Sequence, residues 1–268
     1  MSEFPSSQVQ SRWLEVAGRR LRYVVQGEGG DAVVMLHGFG GRLESWAANQ
    51  AALADGRTVL AVDLPGHGES SPDVGSGSLD ELATVVLAFL DALGIDRTHL
   101  IGHSMGAALC LVLADREPDR VRSLALVGPA GTGQKINADF IRGYIGARGR
   151  DEVAPLLRLL YVDPSHVTDA LVESVVEYKR REGVVEALTR IASSRYGGTP
   201  SGRSLREVVG SVPTLVIWGL EDAIIPPPTP GEFRDAGVEV HILPGSGHKV
   251  QEEAADEVNR LIDDFLGR

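Results

Sequence analysis

The chain has 268 residues, a formal net charge of −11 and a pI of about 5.1, and this balance argues against nucleic acids and anionic membrane surfaces as partners because both attract basic faces. Its one cysteine, Cys110, excludes an intramolecular disulfide and a cysteine-based zinc cluster. The first 16 residues lack the basic start and apolar stretch of a signal peptide, and no apolar run reaches the length of a membrane span, so we expect a cytoplasmic globular protein.

Short apolar runs alternate with longer amphipathic stretches along the chain. The runs predict strands at 21–26, 32–36, 58–62, 99–102, 121–127, 214–218 and 238–243. Amphipathic stretches between them predict helices at 43–54, 79–93, 105–115 and 251–265. Several strands are apolar throughout rather than alternating, which is typical of strands buried on both faces of a parallel sheet. The sequence therefore predicts an α/β fold.

The alternation of strands and helices stops between residues 131 and 205. This segment has no convincing strand, and its helical patterns lie at 138–147, 151–160, 167–181 and 184–194. Joints rich in glycine and proline bracket it. We predict that 131–205 forms a helical cap inserted into a core domain made of 1–130 and 206–268. The alternative is that these helices pack on a face of the sheet.

Ser104 is the predicted nucleophile. It lies in G-H-S-M-G, directly after the strand 99–102 and at the start of the next helix. The G-x-S-x-G pattern alone is weak evidence, but a sharp turn from strand to helix strains its middle residue and needs small neighbours in order to close. The amide of Met105 is expected beside Ser104, whereas the His103 side chain is expected to diverge from it.

His248 is the predicted general base among the seven histidines. It stands in G-S-G-H, between the last strand and the last helix, at the sheet edge where Ser104 is expected; the alternative is an ordinary surface-loop histidine. Asp222 follows the strand 214–218 and is the predicted carboxylate partner of His248. Glu221 is the competing acid.

The glycine-rich segment H-G-F-G-G at 37–41 follows the strand 32–36. We predict that the Phe39 amide joins that of Met105 in an oxyanion hole, and the alternative is a glycine-rich turn without a role. Residues expected near a substrate are His37, Gly38, Gly40, His103, Trp46 and Trp218, although the two tryptophans fit packing equally well. Asp63 is expected to organise loops rather than to react.

Phosphate and metal sites find no support in the sequence. No glycine-rich loop carries the lysine and hydroxyl residue of a phosphate cradle, and G-x-G-x-x-G is absent. No cluster of histidine and carboxylate residues has metal-ligand spacing. We therefore predict no cofactor and no metal.

Five motifs resemble, in this order, those of the α/β-hydrolase superfamily: H-G-F-G-G, D-L-P-G-H-G-E-S, G-H-S-M-G, G-L-E-D-A-I-I-P and G-S-G-H. The chain order Ser104, Asp222, His248 is also the order of that superfamily. The resemblance implies an α/β-hydrolase fold, a mostly parallel eight-stranded sheet with helices on both faces and a helical cap inserted after the sixth strand.

Two further segments resemble the hydrolase-fold domain of the acetoin dehydrogenase complex acyltransferase component: G-P-A-G-T-G-Q-K-I-N-A-D-F-I-R-G-Y and V-E-Y-K-R-R-E-G-V-V-E-A-L. That resemblance implies transfer of an acetyl group from dihydrolipoamide to coenzyme A. In that family the domain follows a lipoyl domain, whereas this sequence starts at the hydrolase fold. We therefore expect the acyl-transfer chemistry and leave open whether the protein has a role within such a complex.

Four functional hypotheses follow. The leading one is a serine hydrolase that cleaves a small or medium acyl ester or thioester, as a monomer or a dimer. The alternatives are an acyltransferase to a thiol such as coenzyme A, a carbon–carbon bond hydrolase or lactonase, and a non-catalytic ligand receptor.

Residues 131–205 carry a net charge of +2 and the rest of the chain −13. Basic side chains of the cap are therefore expected either to face the entrance and attract an anionic substrate or to face solvent.

Overall fold

The computed structural model describes residues 10–194, 201–229, 231, 233 and 238–267, and an eight-stranded sheet lies at its centre. The strands are β1 (Arg12–Val16), β2 (Arg19–Gln26), β3 (Ala32–Leu36), β4 (Thr58–Val62), β5 (Thr98–His103), β6 (Val121–Val127), β7 (Thr214–Gly219) and β8 (Glu239–Leu243). Their order across the sheet is β1-β2-β4-β3-β5-β6-β7-β8. The pairs β1–β2 and β2–β4 are antiparallel and the others are parallel, which confirms the predicted sheet.

β1 is the strand that the apolar pattern did not predict. It lies at an edge of the sheet, and Trp13 is partly exposed, with the Arg20 guanidinium 3.9 Å from its ring centroid. A two-residue turn joins β1 to β2, and both of its residues, Ala17 and Gly18, have positive φ angles. Because an edge strand buries little side-chain surface, its sequence lacks the continuous apolar run of the inner strands.

The α-helices are α1 (Ala47–Gln50), α2 (Leu79–Ala92), α3 (Met105–Arg116), α4 (Ala138–Gly146), α5 (Arg150–Arg158), α6 (Asp169–Arg180), α7 (Val184–Ser193), α8 (Leu205–Val208), α9 (Val250–Glu253) and α10 (Ala255–Leu266). Two predicted helices are interrupted. The segment 43–54 begins with a 3₁₀ turn before α1, and 251–265 is divided at Ala254, whose φ and ψ of −117° and 41° are not helical. In the described part of the chain, no helix is long and apolar enough to cross a membrane.

The inner strands are apolar throughout because they contribute to two separate cores. In β3, Val34 and Leu36 pack into the core that contains α2 and α3, whereas Val33 and Met35 pack into the core that contains α10. The helix α3 is buried from Met105 to Ala114, so it lies deep in the first core. This arrangement confirms the predicted α/β-hydrolase fold with helices on both faces.

The segment between β6 and β7 contains α4, α5, α6, α7 and α8, and its part before α8 is here called the helical insertion. It contacts loops at the carboxyl ends of the strands: Tyr144 donates to the Gly40 carbonyl (2.9 Å), and Tyr178 to that of Gly66 (2.7 Å). The fold thus has the predicted insertion after the sixth strand. The exact boundaries 131 and 205 stay a prediction, and the second glycine-rich joint falls partly in 195–200, outside the described residues.

Candidate active site

Ser104 forms the turn between β5 and α3. Its φ and ψ are 52° and −113°, a conformation that residues with a side chain rarely adopt, so the turn is strained. Two glycines allow the turn to close: a Cβ on Gly106 would lie 2.1 Å from the Leu36 carbonyl oxygen, and one on Gly102 2.5 Å from the Gly106 oxygen. The flanking glycines are therefore a packing requirement of this turn.

Asp222 and His248 meet at the carboxyl edge of the sheet. Asp222 Oδ2 lies 2.7 Å from His248 Nδ1, and both side chains are buried. Asp222 Oδ1 accepts hydrogen bonds from the amides of Ile224 and Ile225, both at 2.8 Å. Because the carboxylate accepts from Nδ1, the hydrogen of a neutral His248 lies on Nδ1 and Nε2 is free to accept a proton.

Neighbouring residues hold these two loops in place. Glu221, the competing acid, accepts hydrogen bonds from the amides of Gly245 (2.9 Å) and Ser246 (3.1 Å) in the His248 loop. Trp218 donates through Nε1 to the Ile225 carbonyl (2.8 Å) in the Asp222 loop. The sequence analysis named Glu221 as the acid that competes with Asp222, but it did not predict that Glu221 contacts the His248 loop.

Ser104, His248, Phe39 and Met105 line one cavity of about 520 Å³ beneath the helical insertion. Much of its wall is apolar. Within the part of the chain that the structure describes, the Ser104 hydroxyl makes no hydrogen bond, and His248 bonds only to Asp222 through its ring. Ser104 and His248 are therefore not hydrogen-bonded to each other through their side chains.

The two backbone amides predicted to form the oxyanion hole are available for a ligand. Among the described residues, neither the Phe39 amide nor the Met105 amide makes a hydrogen bond. The loop of Phe39 approaches Ser104 closely, since a Cβ on Gly38 would lie 3.1 Å from Ser104 Cβ. Two N–H groups beside a serine at a helix start can stabilise a negatively charged oxygen.

Three of the predicted pocket residues do not line the cavity. His37, Trp46 and Trp218 are fully buried elsewhere, which corrects the prediction for them. The His37 ring accepts from the Leu64 amide (3.0 Å) and lies 2.8 Å from the Gly38 oxygen, so it braces the glycine-rich loop from behind. The other predicted pocket residues, Gly38, Gly40 and His103, do line the cavity.

His103 links the turn at Ser104 to the His248 loop. Its Nε2 donates to the His248 carbonyl oxygen at 2.9 Å, and the two ring centroids are 4.7 Å apart. Burial, followed by the nearby His248, lowers the pKa of His103 well below its usual value. The ring is therefore neutral at pH 7, with its hydrogen on Nε2.

Asp63 is fully buried and organises loops, as its sequence context predicts. It accepts hydrogen bonds from the amides of Leu43 (2.7 Å) and Glu69 (2.8 Å) and pairs with Arg22 (3.3 Å). Burial raises the pKa of Asp63 to about 6, while these bonds oppose the rise. The side chain does not line the cavity that contains Ser104.

Sequence reasoning missed Glu253, which joins the helical insertion to the His248 loop. Its carboxylate accepts hydrogen bonds from the amides of Gly247 (2.7 Å), Val162 (2.7 Å) and Asp163 (3.0 Å). No local pattern could reveal this role, because Val162 is 91 residues away in the sequence.

Few basic side chains of the helical insertion reach the cavity wall, and no metal site is found in the described ranges. They contain no group of three histidine, cysteine or carboxylate residues that could hold a metal ion. Of the basic side chains of the helical insertion that the structure describes, only Arg142 reaches the wall of the large cavity, and it pairs with Asp139. Most of the others lie on exposed surface, which favours the solvent-facing alternative.

Comparisons with known proteins identify the family and agree with the fold. A family model described as alpha/beta hydrolase fold matches residues 31–255. The chain is 46% identical to the dihydrolipoyllysine-residue acetyltransferase component of the acetoin cleaving system of Pseudomonas putida, over 94% of this chain and 68% of that protein. It is 33% identical to a 2-hydroxy-6-oxononadienedioate/2-hydroxy-6-oxononatrienedioate hydrolase of Cupriavidus pinatubonensis, over 90% and 88%. A meta-cleavage product hydrolase from Pseudomonas fluorescens IP01 superimposes with a TM-score of 0.81 at 25% identity, over 97% and 98%.

Proposed function

Because this chain belongs to the α/β-hydrolase family, we propose that it is a serine hydrolase that cleaves a small or medium acyl ester or thioester. Ser104 is the nucleophile, His248 the general base and Asp222 its carboxylate partner. The observation that carries the proposal is the 2.7 Å bond from buried Asp222 to His248, a residue that lines the same cavity as Ser104.

In the proposed reaction, Ser104 Oγ attacks the substrate carbonyl carbon while His248 Nε2 takes its proton. Asp222 stabilises the imidazolium that forms, and the amides of Phe39 and Met105 stabilise the oxyanion. His248 then protonates the leaving group and activates the water that hydrolyses the acyl-enzyme. We propose that the hydrogen bond between Ser104 and His248 forms when substrate binds, since catalytic hydrogen bonds often shorten only in the substrate complex.

The helical insertion is proposed to act as a cap that selects the acyl group. Its side chains, among them Phe140, Leu157 and Val175, supply much of the apolar wall. A cavity of about 520 Å³ is larger than an acetyl group needs, which supports a medium acyl chain.

The mechanism is tested by Ser104→Ala, with p-nitrophenyl acetate as substrate. We expect turnover to fall by a factor on the order of 10⁴ or more, since the nucleophile is lost. Ser211→Ala, which alters an exposed serine, is the control and keeps wild-type activity. Full activity in Ser104→Ala would contradict the proposal.

Acyl transfer to a thiol is the second candidate, and it rests on the 46% identity with an acetyltransferase component. The same acyl-enzyme would form, and a thiol rather than water would accept the acyl group. Products are compared with and without coenzyme A or dihydrolipoamide. Formation of an acyl thiol supports transfer, whereas hydrolysis unaffected by either thiol removes it.

Cleavage of a carbon–carbon bond is a third candidate, supported by the relative at 33% identity. Loss of the absorbance of a 2-hydroxy-6-oxo dienoic acid would reveal this activity.

A non-catalytic receptor is the remaining alternative. A fluorophosphonate that labels the wild type but not Ser104→Ala argues against that reading.

A further inference from the structure

One wall of the cavity carries a group of polar side chains, here called the Lys249 cluster: Lys249, Ser45, Glu252 and Tyr161. Lys249 directly follows His248 in the sequence, and its backbone amide donates to the Leu160 carbonyl (3.0 Å) of the helical insertion. Both Lys249 and Ser45 are only 8% exposed. The cluster therefore belongs to the enclosed part of the cavity rather than to the outer surface.

Two hydrogen-bond donors of this cluster have no acceptor among the described residues. Lys249 Nζ donates to Ser45 Oγ (3.0 Å) and to Glu252 Oε1 (2.9 Å), and an ammonium has three N–H groups. Ser45 Oγ accepts from Lys249, and its own hydrogen has no acceptor among the described residues. One N–H of Lys249 and the O–H of Ser45 are thus free for a ligand.

The charge of the cluster is already balanced. Glu252 pairs with Lys249 and also accepts from the Tyr161 hydroxyl (2.7 Å). The nearby Arg42 is likewise paired with Glu44 (3.3 Å). A carboxylate would add an unbalanced negative charge here, so an uncharged oxygen is the better fit for the free donors.

The Lys249 cluster lies close to the reacting centre. Lys249 directly follows His248, and both residues line the cavity whose wall also contains Ser104. The remaining wall is mainly apolar. A few polar groups placed in an apolar pocket are what orients a ligand and selects it.

We propose that Lys249 and Ser45 bind an uncharged oxygen of the substrate, a ketone or hydroxyl oxygen separate from the carbonyl that Ser104 attacks. This inference rests on the proposed function and narrows it, because it makes oxygen-bearing esters the preferred substrate class over plain alkyl esters.

The test compares oxygen-bearing esters with their deoxy counterparts. The acyl pairs are p-nitrophenyl 4-oxopentanoate with pentanoate and 5-oxohexanoate with hexanoate, and the alcohol pair is 3-oxobutyl acetate with butyl acetate. For each pair the ratio of kcat/KM is measured in the wild type, Lys249→Met and Ser45→Ala. Lys135→Met, which alters an exposed lysine of the insertion, is the matched control.

We expect the wild type to favour at least one oxygen-bearing ester by about tenfold, the size of one good hydrogen bond. The ratio falls towards one in Lys249→Met, falls in part in Ser45→Ala, and is unchanged in Lys135→Met. Ser45→Ala removes one atom, so it keeps the test open should Lys249→Met fail to fold.

Two results overturn the inference while leaving the proposed function intact: no preference in any wild-type pair, or equal preference in the wild type and the variants. Absence of turnover of every ester by the wild type would instead defeat the proposed function. The two failures are therefore distinguishable.

Discussion

His103 joins the two loops that carry Ser104 and His248, the residues proposed as nucleophile and base. It is adjacent to Ser104 and donates to the carbonyl of His248, 145 residues further along the chain. Since its lowered pKa keeps the ring neutral at pH 7, His103 itself adds no positive charge beside the imidazolium proposed to form on His248. We infer that His103 is a positioning residue that holds the base against the nucleophile turn.

This role predicts different effects of two substitutions. His103→Phe leaves the His248 carbonyl without its donor and should lower kcat about tenfold with little change in KM. His103→Gln can place an amide N–H where Nε2 lies, so it should recover most of the loss. The kinetic constants of both variants are measured with p-nitrophenyl acetate. An equal loss in the two variants would show that the hydrogen bond is not what matters.

The helix α4 couples the helical insertion to the proposed oxyanion loop. Tyr144 donates to the carbonyl of Gly40, one residue after Phe39. Gly40 has a φ of 69°, and a Cβ there would lie 2.4 Å from the Tyr144 ring, so ring and loop are in direct contact. The helix α6 makes a similar bond from Tyr178 to Gly66, but Gly66 does not line the cavity.

The two tyrosines form a matched pair of variants. Tyr144→Phe and Tyr178→Phe each remove one hydroxyl, and each should lower the free energy of unfolding by about 1 kcal/mol. Only Tyr144→Phe loosens the loop of Phe39, so it alone should lower kcat, by roughly three- to tenfold. Urea unfolding and ester kinetics measure the two effects. An equal kcat in both variants would rule out the coupling.

At the scale of the whole molecule, buried histidines make stability depend on pH. Burial is the main cause that lowers the pKa of His37 and His103 well below normal and that of His67 to about 4. Below pH 6.5 the folded protein therefore binds fewer protons than the unfolded chain, and stability falls as the pH falls. Asp63 acts in the opposite direction, since burial raises its pKa to about 6 and protonation then favours the fold.

We expect the three histidines to outweigh Asp63, so the free energy of unfolding should decrease between pH 7 and pH 5. The share of His67 is about 2 kcal/mol over this range. His67→Gln should therefore reduce the difference between urea titrations at the two pH values. A difference as large as that of the wild type would show that His67 becomes protonated without cost in the folded state.

The family and the fold followed from local patterns because these reflect local requirements. The inner strands are apolar because each serves two cores, and G-H-S-M-G contains glycines because any larger residue would meet the backbone of Leu36 or Gly106. Such constraints act on every residue of an element and are therefore visible in the sequence. The edge strand β1 buries too little apolar surface for such a constraint to be visible in its sequence.

The residues proposed for catalysis were chosen from their positions at strand ends, and the structure brings Asp222 and His248 together there. Their catalytic roles stay predictions until the variants are measured. The chain order and the glycine-rich segments were enough to select them, since parallel strands place their carboxyl ends at one edge of the sheet.

The tertiary structure alone decided which side chains surround that edge. It removed His37, Trp46 and Trp218 from the cavity wall, added the Lys249 cluster to that wall, and revealed Glu253 as the link between the helical insertion and the His248 loop. Composition, the strand and helix pattern and the nucleophile turn depend on neighbours in sequence, so the sequence by itself determined them. The wall of the cavity depends on contacts between residues as much as 204 positions apart, such as Ser45 and Lys249, and only the folded chain brings such residues together.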